Sequence, residues 1–142
     1  DDNIRELLDA IKNESQKLGT FKPIFLKISP DESNETIENI SNLIELSSLS
    51  GLIVSNTTLD KSSLNKSKKN FEGGLSGAPL MKKSTEMIKK ISAKHPSMPI
   101  IGVGGVLKKD DFLKKIEFGA SLVQIYSGFI IKGPKIVNEI LQ

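Results

Sequence analysis

Four short apolar runs alternate with helix-patterned stretches along this chain, and this alternation constrains the fold more than any other feature. The runs cover residues 23–29, 51–56, 99–103 and 121–127. Short apolar runs of this kind indicate strands that are buried in a parallel sheet. Because strands that alternate with helices build such sheets, the sequence predicts an α/β fold with helices covering the sheet.

Five stretches carry apolar residues three or four positions apart, which is the spacing of one helical face. We expect these residues to face inward: Ile4, Leu7, Leu8, Ile11 and Leu18 in the first helix, Ile37, Ile40, Leu43 and Ile44 in the second, Met87, Ile88 and Ile91 in the third, Phe112, Leu113 and Ile116 in the fourth, and Ile136, Val137 and Ile140 in the last. Gly19 and Gly119 are placed to end the first and fourth helices, and Asp110 or Asp111 to open the fourth. Residues 59–79 form a long loop, and loops of this length are often active-site lids.

The composition fits one globular domain over residues 1–142 and narrows the range of functions. Apolar residues make up 37% of the chain and charged residues 26%, and the net charge of +3 comes from scattered lysines and a single arginine. Few aromatic side chains are present to stack on bases, so we expect no nucleic-acid partner. The chain has no cysteine, which excludes a disulfide, a thiolate zinc site and a cysteine nucleophile, and we expect no metal.

Some features predict surface rather than function. A basic cluster in the long loop is expected to be solvated rather than a docking patch; it comprises Lys61, Lys66, Lys68 and Lys69. The only histidine, His95, precedes Pro96 at a predicted helix end, where a surface residue is expected. No apolar stretch approaches the ~18–20 residues that cross a bilayer, and no signal peptide is visible. The first residue is Asp1 rather than methionine, so we expect a processed protein or a piece of a longer one.

Polar side chains stand at the ends of the predicted strands, which is the edge where α/β proteins carry out chemistry. Lys27 lies inside an apolar run, in a strand that we expect to be buried on both faces. A buried ammonium group needs an anionic partner or a path to water. Lys27 therefore either holds an anionic group of a ligand, or reaches solvent or pairs with Asp31.

Asn56 and Thr57 directly follow the second predicted strand. Their side chains offer donors and acceptors that suit a planar heterocycle with amide-like edges. The same two residue types also serve ordinary turns and caps. The pattern alone leaves both interpretations open.

Gly104, Gly105, Tyr126 and Ser127 lie at the ends of the last two strands. In β/α barrels, the loops after such strands often give backbone N–H groups to a phosphate. Glycine allows close approach of the backbone, and the serine hydroxyl adds a donor. A glycine pair also suits any tight turn, but two such turns in succession favour a phosphate site. The chain has no Walker pattern and no strict G-x-G-x-x-G, which argues against a nucleoside triphosphate or a Rossmann dinucleotide.

Taken together, these segments resemble the dihydroorotate dehydrogenase family, in particular its class 2, quinone-linked branch. The matching segments are PIFLKISPD (23–31), GLIVSNTTLD (51–60), GGLSGAPL (73–80), PIIGVGGV (99–106) and GASLVQIYSGF (119–129). They occur in the family's order, and residues 123–129 with 132–134 favour class 2 over the cytosolic class 1. The family fold is a β/α (TIM) barrel of eight βα units, so the four strands visible here would be its C-terminal half.

The resemblance implies a flavin mononucleotide (FMN) cofactor and assigns residues to it and to the substrate. The expected FMN contacts are Lys27, Ser55, Gly77, Gly105, Tyr126 and Ser127, the last three around the phosphate. Lys27 would lie near the N1/O2 edge of the flavin and stabilise the anionic reduced isoalloxazine. Asn56 and Thr57 match the pair that hydrogen-bonds the dihydroorotate ring.

The resemblance also implies what a half barrel lacks. The catalytic base, a serine, is expected in the absent half, so none of Ser29, Ser55 and Ser76 is assigned to that role. An N-terminal helical segment would meet the membrane and the quinone there, so the full-length protein is expected to be peripherally bound to a bacterial or mitochondrial inner membrane. A half barrel leaves two strand edges and one face of its core uncovered, so we expect it to need the missing half or a second copy for stability.

The implied reaction is the oxidation of (S)-dihydroorotate to orotate in de novo pyrimidine (UMP) synthesis. In this family the serine removes the C5 proton, a hydride passes from C6 to flavin N5, and a quinone reoxidises the flavin. The 142-residue chain alone is expected to be inactive. Two alternatives remain: a class 1 enzyme that uses fumarate or NAD, and a non-catalytic half barrel that only holds a phosphate ligand.

Overall fold

Four parallel strands form a sheet in which they lie side by side in the order of the sequence. The structure is a computed structural model that describes residues 2–46, 49–65, 70 and 72–142. Its elements are α1 (Asp2–Lys17), β1 (Phe25–Ile28), α2 (Asn34–Leu46), β2 (Gly51–Val54), a 3-10 turn (Ala78–Leu80), α3 (Met81–Lys94), β3 (Ile100–Val103), α4 (Lys109–Glu117), β4 (Leu122–Gln124), α5 (Ser127–Lys132) and α6 (Lys135–Leu141). The predicted α/β alternation is confirmed, although each strand is shorter than the apolar run that predicted it. The short helix α5 begins at Ser127, which the sequence placed in the last strand.

One face of the sheet packs on helices and forms the main core. Residues that pair in register across a parallel sheet point to the same face. This helix-covered face carries Leu26, Ile28, Leu52, Val54 and Ile100. They pack with apolar residues of α2 and α3, namely Ile37, Ile40, Met87, Ile88 and Ile91. A smaller cluster joins α4 and α6 to the loop after β3, with Val106, Ile136 and Ile140 buried.

The opposite face, called the open face below, is not covered by helices of the described chain. It carries Phe25, Lys27, Ile53, Ile101, Leu122 and Gln124. Phe25 is 38% exposed and Leu122 is 64% exposed. The prediction that β1 is buried on both faces is therefore wrong, because Lys27 and Phe25 lie on the open face. In a closed β/α barrel this is the face that turns toward the barrel interior.

Several helical residues that were predicted to face inward are exposed. Leu7 and Ile11 in α1, and Leu18 just after it, are at least 37% exposed, because this helix makes few contacts with the sheet. In α4, Leu113 and Ile116 are exposed, and the buried residue is Lys115. Val137 in α6 is exposed as well, while its neighbours Ile136 and Ile140 are buried. The side chains of Leu43 and Ile44 lie outside the described residues.

The ends of the helices also differ in detail from the predictions. Lys108, rather than an aspartate, is the N-cap residue of α4, and Asp111 Oδ2 accepts a hydrogen bond from Leu107 N at 3.1 Å. His95 follows α3 as predicted, but it is half-buried rather than at the surface, and no partner for its buried Nε2 is found among the described residues. In the basic loop cluster Lys61 is half-buried, and the other three lysines lie outside the described residues. No helix in the described ranges combines the length and the apolar character that a membrane crossing requires.

Candidate functional site

The predicted site residues meet in one cleft at the carboxyl ends of the strands. The cleft has a volume of about 340 Å³. Its lining includes all eight residues that were expected to contact FMN or the substrate: Lys27, Ser55, Asn56, Thr57, Gly77, Gly105, Tyr126 and Ser127. They come from the ends of all four strands and from the long loop. Parallel strands place their carboxyl ends at one edge of a sheet, which is why residues so far apart in sequence converge.

Lys27 brings a positive charge to the open-face side of the cleft. It is exposed and lies on β1 beside Ile53 of β2. The alternative that it pairs with Asp31 is wrong, because the Asp31 carboxylate binds Lys83 instead. Within the described residues no ion pair is found for Lys27. The ammonium group is therefore available to an anionic ligand.

The Asn56–Thr57 turn is fixed by the backbone of the neighbouring strands. Asn56 N donates to Ile28 O at 2.8 Å, and Ser55 N donates to Val103 O at 3.2 Å. Asn56 Oδ1 accepts the Thr57 N–H at 3.0 Å, which is the turn chemistry expected of asparagine. This bond leaves the Asn56 Nδ2 amide without a described acceptor, so the turn role and a ligand role are compatible. Ser55 is buried, and its Oγ donates to the Asn56 carbonyl at 2.9 Å.

Hydrogen bonds to the Asp31 carboxylate, called the Asp31 bracket below, hold the chain directly after this turn. The Asp31 carboxylate accepts hydrogen bonds from Thr58 Oγ1, from Leu59 N at 2.6 Å and from Lys83 Nζ. Burial raises the pKa of Asp31, but the bonds from Lys83, Thr58 and Leu59 outweigh it and lower the pKa below its ordinary value. Thr58 and Leu75 exchange two backbone hydrogen bonds of 3.1 and 2.7 Å, which close the base of the long loop. The loop is thus anchored at both ends beside the cleft.

The Gly104–Gly105 turn forms the wall of the cleft next to α3. Their φ angles are 108° and 77°, a region that favours glycine. A Cβ atom on Gly105 would lie 2.4 to 2.6 Å from Met81 atoms. No acceptor is found within the described residues for the Gly105 N–H. A backbone donor without a partner beside a cleft can bind a ligand oxygen.

Hydroxyl groups line the adjoining wall. Ser127 Oγ and Ser76 Oγ lie 2.9 Å apart and join α5 to the long loop beside Gly77. Tyr126 lines the same wall and is 73% exposed. Two hydroxyls and a free N–H are the neutral donors with which proteins commonly bind a phosphate.

Sequence reasoning missed part of the lining. Gln124 lies at the end of β4 on the open face. It is a polar residue inside an apolar run, the signal that singled out Lys27, and the same argument would have found it. The apolar part of the lining includes Leu80, Val106 and Ile125, which no chemical signal distinguishes from core residues.

Comparisons with known proteins identify the family to which this chain is similar. The sequence profile of the family described as dihydroorotate dehydrogenase matches residues 2–142. A curated dihydroorotate dehydrogenase (quinone) from Christiangramia forsetii is 41% identical over 140 residues, which is 98% of this chain and 41% of that protein. The enzyme of the same name from Bartonella tribocorum is 46% identical over 147 residues, covering 99% of this chain and 41% of that protein.

A solved structure shows the same arrangement of elements. The crystal structure of DHODH in complex with ferulenol from Eimeria tenella matches with a TM-score of 0.89 and 30% identity. The match covers 98% of this chain and 42% of that one. The chain therefore spans about two fifths of the length of the curated relatives and of this structure.

Proposed function

The chain belongs to the dihydroorotate dehydrogenase family, and we propose that it forms the C-terminal half of the FMN-binding barrel of a quinone-dependent dihydroorotate dehydrogenase. The observation that carries the proposal is the convergence of the eight predicted site residues on one cleft. The relatives named as quinone-dependent favour this branch over a class 1 enzyme. The domain would be a single β/α barrel, of which residues 1–142 are one part.

The cleft fits the phosphate end of FMN. Gly105 offers a backbone N–H that has no partner in the described chain, and Ser127 and Ser76 offer hydroxyls 2.9 Å apart. Met81 packs so close to Gly105 that a side chain there would not fit. The Gly105 backbone therefore packs directly on α3 and presents no side chain of its own to a phosphate. Tyr126 would cover the phosphate from the solvent side.

Lys27 fits the other end of the cofactor. Lys27 lines the cleft from the open face of β1, and no carboxylate of the described residues neutralises its charge. We assign it to the N1/O2 edge of the flavin, where reduction places negative charge. Ser55 and Gly77 would contact the cofactor between the two ends.

Asn56 and Thr57 are assigned to the substrate. Asn56 Oδ1 accepts the Thr57 N–H, so the Nδ2 amide of the same side chain is left to donate to a pyrimidine carbonyl. The Thr57 hydroxyl lies on the next residue of the same exposed turn. The Asp31 bracket and the bonds from β1 and β3 hold this turn rigid, and rigid placement lowers the entropy cost of substrate binding.

In this proposal the bound flavin supplies the two-electron acceptor for the oxidation of dihydroorotate to orotate, and a quinone removes the electrons. The residues of this chain would bind and orient the flavin and the substrate, and Lys27 would stabilise the negative charge of the reduced flavin. The base that removes the substrate proton would be a serine outside these residues. The reaction would serve de novo pyrimidine (UMP) synthesis in a peripheral membrane protein. The exposed apolar residues of the open face, such as Leu122, support the need for further barrel sequence or a second copy.

The decisive experiment measures FMN content and dihydroorotate oxidation by the complete gene product that carries this sequence. We expect bound FMN and orotate formation that depends on a quinone. Orotate formation that depends on fumarate or NAD instead would support a class 1 enzyme. Ligand binding without any turnover would support the non-catalytic half barrel, and the absence of FMN binding would refute the proposal.

A further inference from the structure

Lys115 is a lysine with no exposed surface, on the side of the sheet away from the cleft. It lies on α4, and its stem runs beneath β3, where a Cβ on Gly102 would lie 3.2 Å from Lys115 Cδ. Its Nζ donates to Ser84 Oγ at 2.8 Å and to Thr85 Oγ1 at 3.2 Å. Both hydroxyls belong to α3, and no carboxylate of the described residues pairs with this ammonium.

A buried charge at Lys115 lowers the stability of the fold, so stability does not explain why a lysine is found there. Burying an ammonium group without a carboxylate partner is unfavourable, and an apolar residue of similar volume is often at least as stable. Burial lowers the pKa of Lys115 from 10.5 to about 8, against the opposing effect of the charge on Asp111. Natural chains retain such local conflicts mainly where a functional site needs them.

Ser84 connects the buried ammonium to the Gly104–Gly105 turn. Its Oγ accepts the bond from Lys115 and lies 3.3 Å from Gly104 O and 3.2 Å from Met81 O. The Lys115 ammonium occupies the acceptor side of this hydroxyl, so its single hydrogen points the other way and is shared between Met81 O and Gly104 O. The Gly104 carbonyl is therefore held toward α3.

The direction of that carbonyl fixes the direction of the next N–H. In a trans peptide plane the C=O and the following N–H point to opposite sides. Holding Gly104 C=O against α3 turns the Gly105 N–H away from α3. This is the N–H that has no acceptor within the described residues and that borders the cleft. Without the bond to Ser84, two successive glycines would let the plane rotate at little cost.

We propose that Lys115 and Ser84 form a relay that orients the Gly104–Gly105 peptide and so prepares the Gly105 N–H as a donor to an anionic phosphate. Lys115 is a positioning residue, since it does not line the cleft and acts through the Ser84 hydroxyl and one peptide plane. The inference rests on the proposed function, because the phosphate is that of FMN. It adds two residues of the helix layer to a site that otherwise consists of strand ends and loops.

The test compares the dissociation constants of FMN and riboflavin, which differ only by the phosphate, in the complete gene product. Ser84→Ala breaks the relay, and Thr85→Val is the matched control because Thr85 also binds Lys115 but does not reach Gly104. We expect Ser84→Ala to reduce the preference for FMN over riboflavin about tenfold, or about 1.4 kcal/mol. Riboflavin binding should change less than about twofold, and Thr85→Val should keep the preference. Lys115→Met, which leaves both hydroxyls, should also reduce it.

The outcomes separate this inference from the proposed function. A parent protein that binds FMN no better than riboflavin would overturn the proposed function and the relay together. A parent with the preference, whose Ser84→Ala and Lys115→Met variants retain it, would overturn the relay alone. Parallel losses for FMN and riboflavin, or an equal loss in Thr85→Val, would show that these residues only support the packing of α3.

Discussion

Replacing Lys115 with methionine should remove a pH dependence of stability that this lysine produces. Burial lowers the pKa of Lys115 from 10.5 to about 8 in the folded protein, while the unfolded chain keeps the ordinary value. Between about pH 8 and pH 10.5 the unfolded chain therefore binds more protons than the folded one. The free energy of unfolding must rise with pH across this window, because deprotonation removes the cost of the buried charge.

The magnitude follows from the difference between the two pKa values. Each pKa unit corresponds to about 1.4 kcal/mol, so the shift from 10.5 to about 8 lowers the free energy of unfolding by about 3 kcal/mol at pH 7. At pH 10 most of this cost has disappeared. Lys115 should thus contribute a gain of about 2–3 kcal/mol between pH 7 and pH 10. Methionine fills a similar volume and carries no proton, so the variant should lack the gain and be at least as stable as the parent at pH 7.

The assay is urea unfolding of the complete gene product at pH 7, 8, 9 and 10, followed by far-UV circular dichroism. The difference between parent and variant cancels the titration of groups that both proteins share. Lys114→Met is the matched control, because Lys114 is the exposed neighbour on the same helix. As pH rises, we expect the free energy of unfolding of the parent to increase relative to that of Lys115→Met. The difference between the parent and Lys114→Met should not change with pH. A constant difference between the parent and Lys115→Met would refute the reasoning.

Four further predictions concern the cleft. Lys27→Ala should impair flavin retention or reduction, and Lys22→Ala, an exposed lysine outside the cleft, should not; normal flavin content with a normal reductive half-reaction in Lys27→Ala would contradict the assignment. Asn56→Ala should weaken dihydroorotate and orotate binding by about 1–3 kcal/mol and FMN binding much less, whereas equal losses would mean a structural role. Because the pKa of Asp31 is lowered from its ordinary value of 3.8, its ionised carboxylate stabilises the fold at pH values above 3.8. Asp31→Asn should therefore be less stable than the parent at pH 7 and approach it as pH falls below 3.8, and a pH-independent difference in urea midpoints would argue against this. The 142-residue chain alone should form no orotate with FMN and quinone, because a general base is worth ~10²–10⁴ in rate; turnover near that of an intact enzyme would place the base within these residues.

The cleft side of the fold could be predicted from the sequence because its signals are local. Short apolar runs identify strands, and a parallel sheet sends all their carboxyl ends to one edge. Lys27 and the Asn56–Thr57 turn stand out because polar groups interrupt or end those runs. The same signal identifies Gln124, a polar residue that interrupts an apolar run and lies on the open face of β4 as Lys27 lies on the open face of β1.

The helix layer was harder to predict because apolar spacing does not decide which face of a helix is buried. In α4 the spacing favoured Leu113 and Ile116, yet packing on α3 and α6 buries Lys115 and exposes both. The choice depends on partners far away in sequence, such as the hydroxyls of α3, which no local pattern reveals. The error about β1 has a related cause, since burial on its open face depends on what covers the sheet there.

Dependence on partners far away in sequence also explains why the relay of Lys115 and Ser84 could not be predicted from the sequence. Lys115 looks like one of many lysines in a basic chain, and Ser84 like an ordinary helix residue. Their role depends on the packing of α3 and α4 on β3, because that packing brings the ammonium within hydrogen-bond distance of the hydroxyl and the hydroxyl within hydrogen-bond distance of the Gly104 carbonyl. A flexible glycine turn can approach a phosphate closely but cannot hold its own N–H in place. A fixed donor at such a turn needs a support from the layer behind it, and here the support is a charge that the core retains at a cost in stability.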